Sequence, residues 1–245
     1  MRVLREADVA FLVGGAYGLA RYTGVIRDTK DFDLFLRERD VVPAVNAFER
    51  AGYKADLTHP HWLAKVHHSD AFIDLIFRAG NGLCPVDDDW FAGEYPANLL
   101  GEAVQLVPPE RMIWQKCYIQ ERERFDGADV AHLIRSCAPI LDWDRLVSLF
   151  GPDWRVLYAH LVLFGFIYPA ERDAIPRRTM DELGNRLAKE IAAPSAHDRT
   201  CRGTLLSRAQ YLPDIDLWGY QDARLAARNQ MTAEQIRLWT NAIEK

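Results

Sequence analysis

Six consecutive residues, Phe72-Ile73-Asp74-Leu75-Ile76-Phe77, constrain this chain more than any others. The run is apolar except for a single carboxylate, the pattern of a strand buried on both faces. A lone carboxylate in such a strand is costly unless a metal ion or hydrogen-bond donors compensate it. A second strand pattern, Asp31-Phe32-Asp33-Leu34-Phe35-Leu36, alternates at its start. It places Asp31 and Asp33 on one face and Phe32 and Leu34 on the other. Carboxylates that close repel and raise each other's pKa unless a cation sits between them, and hard oxygen ligands suit Mg²⁺. If the two strands are neighbours, Asp74 completes a three-carboxylate cluster. The bland alternatives are a solvated strand face for Asp31 and Asp33, and backbone amides around Asp74.

The surrounding segments support a sheet. Ala10 to Val13 is a short apolar run stopped by Gly14-Gly15, a strand ending in a tight turn, and Ala16 to Tyr22 reads as a short helix. Gly24 to Lys30 is a polar loop that offers Arg27, Thr29 and Lys30 to an anion. Asp40 suits an N-cap, and apolar residues follow at helical spacing until Gly52. Tyr53 to Leu57, Trp62 to Val66 and Phe72 to Phe77 read as strands, the last two joined by a turn at His67-His68-Ser69-Asp70. The order predicts an α/β (α+β) fold, a small mixed sheet flanked by helices.

From Pro108 onward the texture is helical. Helices are expected over 110–124, 128–137, 143–150, 154–166, 178–191 and 232–243, the last with a capping-box pattern at Thr232 and Gln235. The tryptophans at helix-like positions default to core packing. His59, His61, His67 and His68 lack the cysteines or spaced third ligand of a zinc site. Four scattered cysteines without a CxxC pair point to a reducing compartment, and no signal peptide or membrane-spanning run is visible, so a cytoplasmic protein is expected. The net charge of −5 argues against sequence-blind adhesion to nucleic acid or anionic membrane. No GxGxxG or Walker motif is present.

The order of an apolar strand, GG, a short helix, R-x-T-x-D-F-D and an apolar strand with one Asp resembles the DNA polymerase β-like nucleotidyltransferase superfamily. The likeness covers residues 10 to 78 and is nearest to small bacterial members, namely antibiotic adenylyltransferases and toxin–antitoxin nucleotidyltransferases. The resemblance implies a catalytic domain over 1–107 and a helical domain over 108–245. It implies that Gly14 and Gly15 form the triphosphate-binding turn, with Arg27 and Thr29 beside it. Asp31, Asp33 and Asp74 become the ligands of two Mg²⁺ ions, and Asp74 the usual activator of the acceptor hydroxyl. The family often has Ser where Gly15 stands, so here only the backbone amide remains. Lys116 and the stretch Arg122 to Asp129 resemble the K…R…D-x-x-D helix of several relatives, which makes Lys116 a nucleotide contact. The implied activity is transfer of an NMP from an NTP, ATP among them, to an acceptor, with pyrophosphate released. A small-molecule or protein hydroxyl is the expected acceptor. The rivals are a toxin-like enzyme acting on tRNA or protein, and a silent nucleotide-binding module.

Overall fold

The computed structural model describes residues 1–194, 197–229 and 231–242. After a short helix α1 (Arg2–Glu6) come β1 (Leu12–Val13), α2 (Gly15–Thr23), β2 (Asp31–Phe35), α3 (Glu38–Arg50), β3 (Lys54–His59), β4 (Leu63–His68) and β5 (Ala71–Ile76). The five strands form one sheet in the order β1-β2-β5-β4-β3. Strands β2 and β5 pair in parallel; the other three pairings are antiparallel. The predicted mixed sheet and the adjacency of the two acidic strands are both present. The turn between β4 and β5 is tighter than expected: His67 and His68 belong to β4, and Ser69 turns the chain at φ +51°.

The sheet is two-sided for the reason its alternation predicts. Leu34, Ala64, Val66, Leu75 and Phe77 join Leu4 of α1 and Val41, Ala44 and Phe48 of α3 in one buried cluster, against which Phe32 and Ile73 pack. The opposite face carries Asp31, Asp33 and Asp74. Helix α2 closes at Gly24, whose φ of +75° is the left-handed C-terminal position that glycine takes without strain. A hairpin that sequence patterning missed, β6 (Pro96–Leu99) with β7 (Glu102–Gln105), turns at Leu100-Gly101, both at positive φ.

The remaining elements are α4 (Pro109–Cys117), α5 (Gly127–Cys137), α6 (Trp143–Phe150), α7 (Trp154–Ile167), α8 (Arg177–Ala192), β8 (Thr200–Cys201), α9 (Leu212–Asp216), β9 (Gln221–Asp222) and α10 (Ala233–Asn241). Helix α4 stops seven residues short of its expected end. The Gln120 N–H donates to the Leu206 carbonyl, and Glu121 to Arg124 form a hydrogen-bonded turn instead of another helical turn. Gly127, expected as a break, opens α5. Asp142 caps α6 by accepting from the Arg145 N–H (2.9 Å), and Thr232 and Gln235 form the expected capping box of α10. The final expected helical residue, Ile243, lies outside the described residues.

The chain divides into two compact units, Met1–Pro108 together with the C-terminal segment from Arg224, and Pro109–Ala223. The end of the chain packs with the sheet unit. Within that unit α10 lies against β3, and Trp239 packs on Gly80. Trp218 is exposed. All four cysteines are free and buried, and no helix among the described residues is long and apolar enough to cross a membrane.

Candidate active site

The register of the sheet builds the site. Asp33 on β2 stands directly opposite Asp74 on the parallel strand β5, and Asp31 lies two residues before Asp33 on the same face. One carboxylate oxygen from each of Asp31, Asp33 and Asp74 lies within 4.8 Å of the others. Asp31 and Asp33 are half-buried and Asp74 is buried. Three carboxylates this close are held against their mutual repulsion, and an all-oxygen donor set is what a hard divalent cation takes. The donor chemistry therefore fits Mg²⁺ at these residues.

Each carboxylate has a distinct environment. The Thr29 hydroxyl donates to Asp31 Oδ1, which ties the loop before β2 to the site. Asp74 accepts from Lys65 Nζ at 2.8 Å, Lys65 being its register partner on β4. Burial raises the Asp74 pKa above the ordinary carboxylate value, and the Lys65 ammonium opposes that rise. Sequence reasoning missed Lys65. Its signal was a single cation in the apolar run Trp62 to Val66, next to a strand with a single anion.

The Gly14-Gly15 turn meets the acidic residues directly. The Gly14 N–H donates to the Asp33 carbonyl (3.1 Å), and a Cβ on Gly14 would lie 2.3 Å from the Phe35 ring. Gly15 has φ +53°, and a Cβ there would fall 1.6 Å from Asp33 Oδ2. No other residue type fits this close approach, serine included. Helix α2 starts here with no side-chain cap, so its first-turn N–H groups and positive dipole end are offered beside the carboxylates. Arg27 stands exposed in the loop before β2.

In the second unit Lys116 Nζ bridges Asp126 (2.8 Å) and Asp129 (2.6 Å), and Arg124 also pairs with Asp126. These residues form a helix–turn–helix clasp of α4 and α5, not one continuous helix. The Lys116 and Arg124 charges hold the Asp126 carboxyl below its ordinary pKa against the opposing effect of burial. The histidines form no metal cluster among the described residues. His61 is buried with Nε2 on the Gly80 carbonyl (3.0 Å), and His67 pairs with Asp56 (2.7 Å).

No family model matches the chain, and no curated protein matches it. Among solved structures it is similar to the antibiotic-resistance factor ANT(2″)-Ia, at 17% identity over 65% of this chain and 89% of that one, with a TM-score of 0.42. The lincosamide antibiotic adenylyltransferase LnuA, in its lincomycin-bound form, is 15% identical over 54% of this chain and 90% of its own, with a TM-score of 0.39. An antigenic nucleotidyltransferase-like protein from Paracoccidioides brasiliensis is 15% identical over 71% of this chain and 87% of its own, with a TM-score of 0.43.

Proposed function

We propose that the chain is a metal-dependent nucleotidyltransferase, moving an NMP from an NTP to a hydroxyl acceptor. One observation carries this reading: three carboxylates converge on one sheet face against a glycine turn that opens a helix. Asp31, Asp33 and Asp74 would hold Mg²⁺. When bound, the metal neutralises charge on the attacking and leaving oxygens of an in-line phosphoryl displacement.

The residues themselves do the rest. The N–H groups of the first turn of α2 donate to a phosphate oxygen, and the side-chain-free Gly14-Gly15 backbone lets it approach. Arg27 adds a cation to the same loop, and Thr29 orients Asp31. Lys116, the nucleotide contact that the family resemblance implies, is held by Asp126 and Asp129 within the second unit. Asp74, with its affinity for a proton raised by burial, receives the acceptor's hydroxyl proton. The new bond joins the acceptor oxygen to the α-phosphorus, the α–β phosphoanhydride bond breaks, and its electron pair leaves with pyrophosphate. A small-molecule or protein hydroxyl is the favoured acceptor.

Incubation with each labelled NTP and Mg²⁺, in RNA-free metabolite extract and with total protein, followed by mass spectrometry for NMP adducts, tests the proposal. Adducts that vanish in Asp31→Asn and Asp33→Asn support it. Adducts that persist in both at more than about a tenth of the wild-type rate overturn a two-metal site.

A further inference from the structure

The acidic site carries a cation of its own. Asp33, Asp74, Lys65 and Asp56 stand in one row across β2, β5, β4 and β3, each the register partner of the next. Lys65 therefore has a carboxylate on either side. Its Nζ bonds only one of them, Asp74 Oδ1 at 2.8 Å, and sits 3.9 Å from the centroid of the Phe72 ring. Asp56 is satisfied from other directions, by His67 Nε2 (2.7 Å) and the Thr58 hydroxyl (2.8 Å). The Lys65 side chain is only 23% exposed, so its charge is directed at the site and not spent in solvent.

Two consequences follow from charge and from lone pairs. With Lys65 the three carboxylates sum to −2, which one divalent ion balances; without Lys65 they sum to −3. One oxygen of Asp74 is also held by an ammonium, and a metal ion approaching that oxygen meets a like charge. We propose that Lys65 is a positioning residue that substitutes for a metal ion at Asp74. It pins Oδ1, keeps full metal ligation on Asp31 and Asp33, and leaves the other Asp74 oxygen for the acceptor hydroxyl. This rests on the nucleotidyltransferase reading and narrows its metal ligands from three carboxylates to Asp31 and Asp33, with Asp74 kept for the acceptor.

Mn²⁺ binding without nucleotide, followed by electron paramagnetic resonance and calorimetry, tests it independently of turnover. Lys65→Met and Lys65→Gln should bind Mn²⁺ at least about tenfold tighter, because a neighbouring positive charge is gone and an oxygen is freed. In both, kcat should fall while KM for NTP holds. Lys65→Arg, which keeps the charge, should keep wild-type Mn²⁺ affinity and recover part of kcat. Circular dichroism and thermal melts identify any variant that fails to fold, and Lys65→Gln and Lys65→Arg then carry the comparison. Unchanged or weaker Mn²⁺ binding in folded Lys65→Met and Lys65→Gln overturns the proposal alone, provided wild-type binding still depends on Asp31 and Asp33. Wild-type protein that binds no Mn²⁺, or binds it equally in Asp31→Asn and Asp33→Asn, overturns the nucleotidyltransferase reading and this proposal together.

Discussion

Single carboxylates in this site differ in the sign of what they do to the fold. Asp31 and Asp33 face other carboxylates, so neutralising either relieves repulsion in the metal-free protein. Asp74 instead completes a buried pair with Lys65, and an amide in its place leaves the ammonium without its counter-charge. Asp31→Asn and Asp33→Asn are therefore expected to raise the melting temperature of the metal-free protein while abolishing transfer. Asp74→Asn should lower it and cut turnover by about 10² with little change in NTP affinity. Melting all three in a chelator, beside wild type, checks the signs; an equal shift in all three would show that Lys65 does not distinguish them. Gly15 is constrained differently. A side chain there meets both a positive φ and the Asp33 carboxylate, so Gly15→Ser should cost about 1–3 kcal/mol and displace Asp33. Urea denaturation and Mn²⁺ affinity measure the two effects, and a Gly15→Ser protein matching wild type in both would show that Asp33 yields freely.

At the level of elements, strands were legible where alternation or an unbroken apolar run marked them. Parity alone put Asp31 and Asp33 on one face, and the apolar run around Asp74 marked an inner strand. The β6–β7 hairpin was not legible, because its turn is Leu100-Gly101 with a non-glycine at positive φ, outside the usual turn vocabulary. Nor was the early end of α4, which a hydrogen bond to Leu206 imposes from nearly ninety positions away. The Lys65–Asp74 pair needed the β4–β5 register, which neither strand pattern contains. His61, just before β4, adds a pH dependence. Burial lowers its pKa from 6.5 to about 4, repulsion from His59 and Arg78 adds to this, and the Gly80 bond opposes it. The unfolded chain therefore binds the proton first. The stability tied to neutral His61 is complete above about pH 6.5 and is lost as pH falls from there toward 4, up to about 3 kcal/mol. Unfolding free energies from urea titrations at pH 7 and pH 5 should differ by about 2 kcal/mol in wild type and by much less in His61→Gln, which keeps a donor for Gly80. Parallel pH profiles in the two proteins would place the proton elsewhere.

At the scale of the whole molecule, local pattern predicts helices but not which core they join, which is why the C-terminal helix was assigned to the helical segment. Its attachment depends on long-range packing: Arg224, buried, reaches Thr240 (3.3 Å) and lies over the Trp239 ring, while Trp239 covers Gly80. Charge distribution also belongs to this scale, and it bears on the acceptor. Binding of tRNA by counterion release needs cations that are free to meet phosphates. In the second unit several arginines pair with neighbouring carboxylates. Arg124 pairs with Asp126, Arg177 with Asp181, Arg178 with Asp144 and Arg202 with Asp198. Arg199 donates to the Trp218 carbonyl and lies over the Tyr220 ring. With a net charge of −5, such pairings reduce the cationic charge that a polyanion could meet. A small-molecule or protein hydroxyl makes no such demand, needing only shape and a few polar groups. Labelled NTP with Mg²⁺ should therefore label a component of RNA-free extract and leave total tRNA unlabelled, and raising salt from 50 to 200 mM should change that labelling by less than about tenfold. Labelling confined to tRNA, with a steep loss over the same salt range, would show that the paired arginines release their carboxylates for phosphate and would make RNA the acceptor.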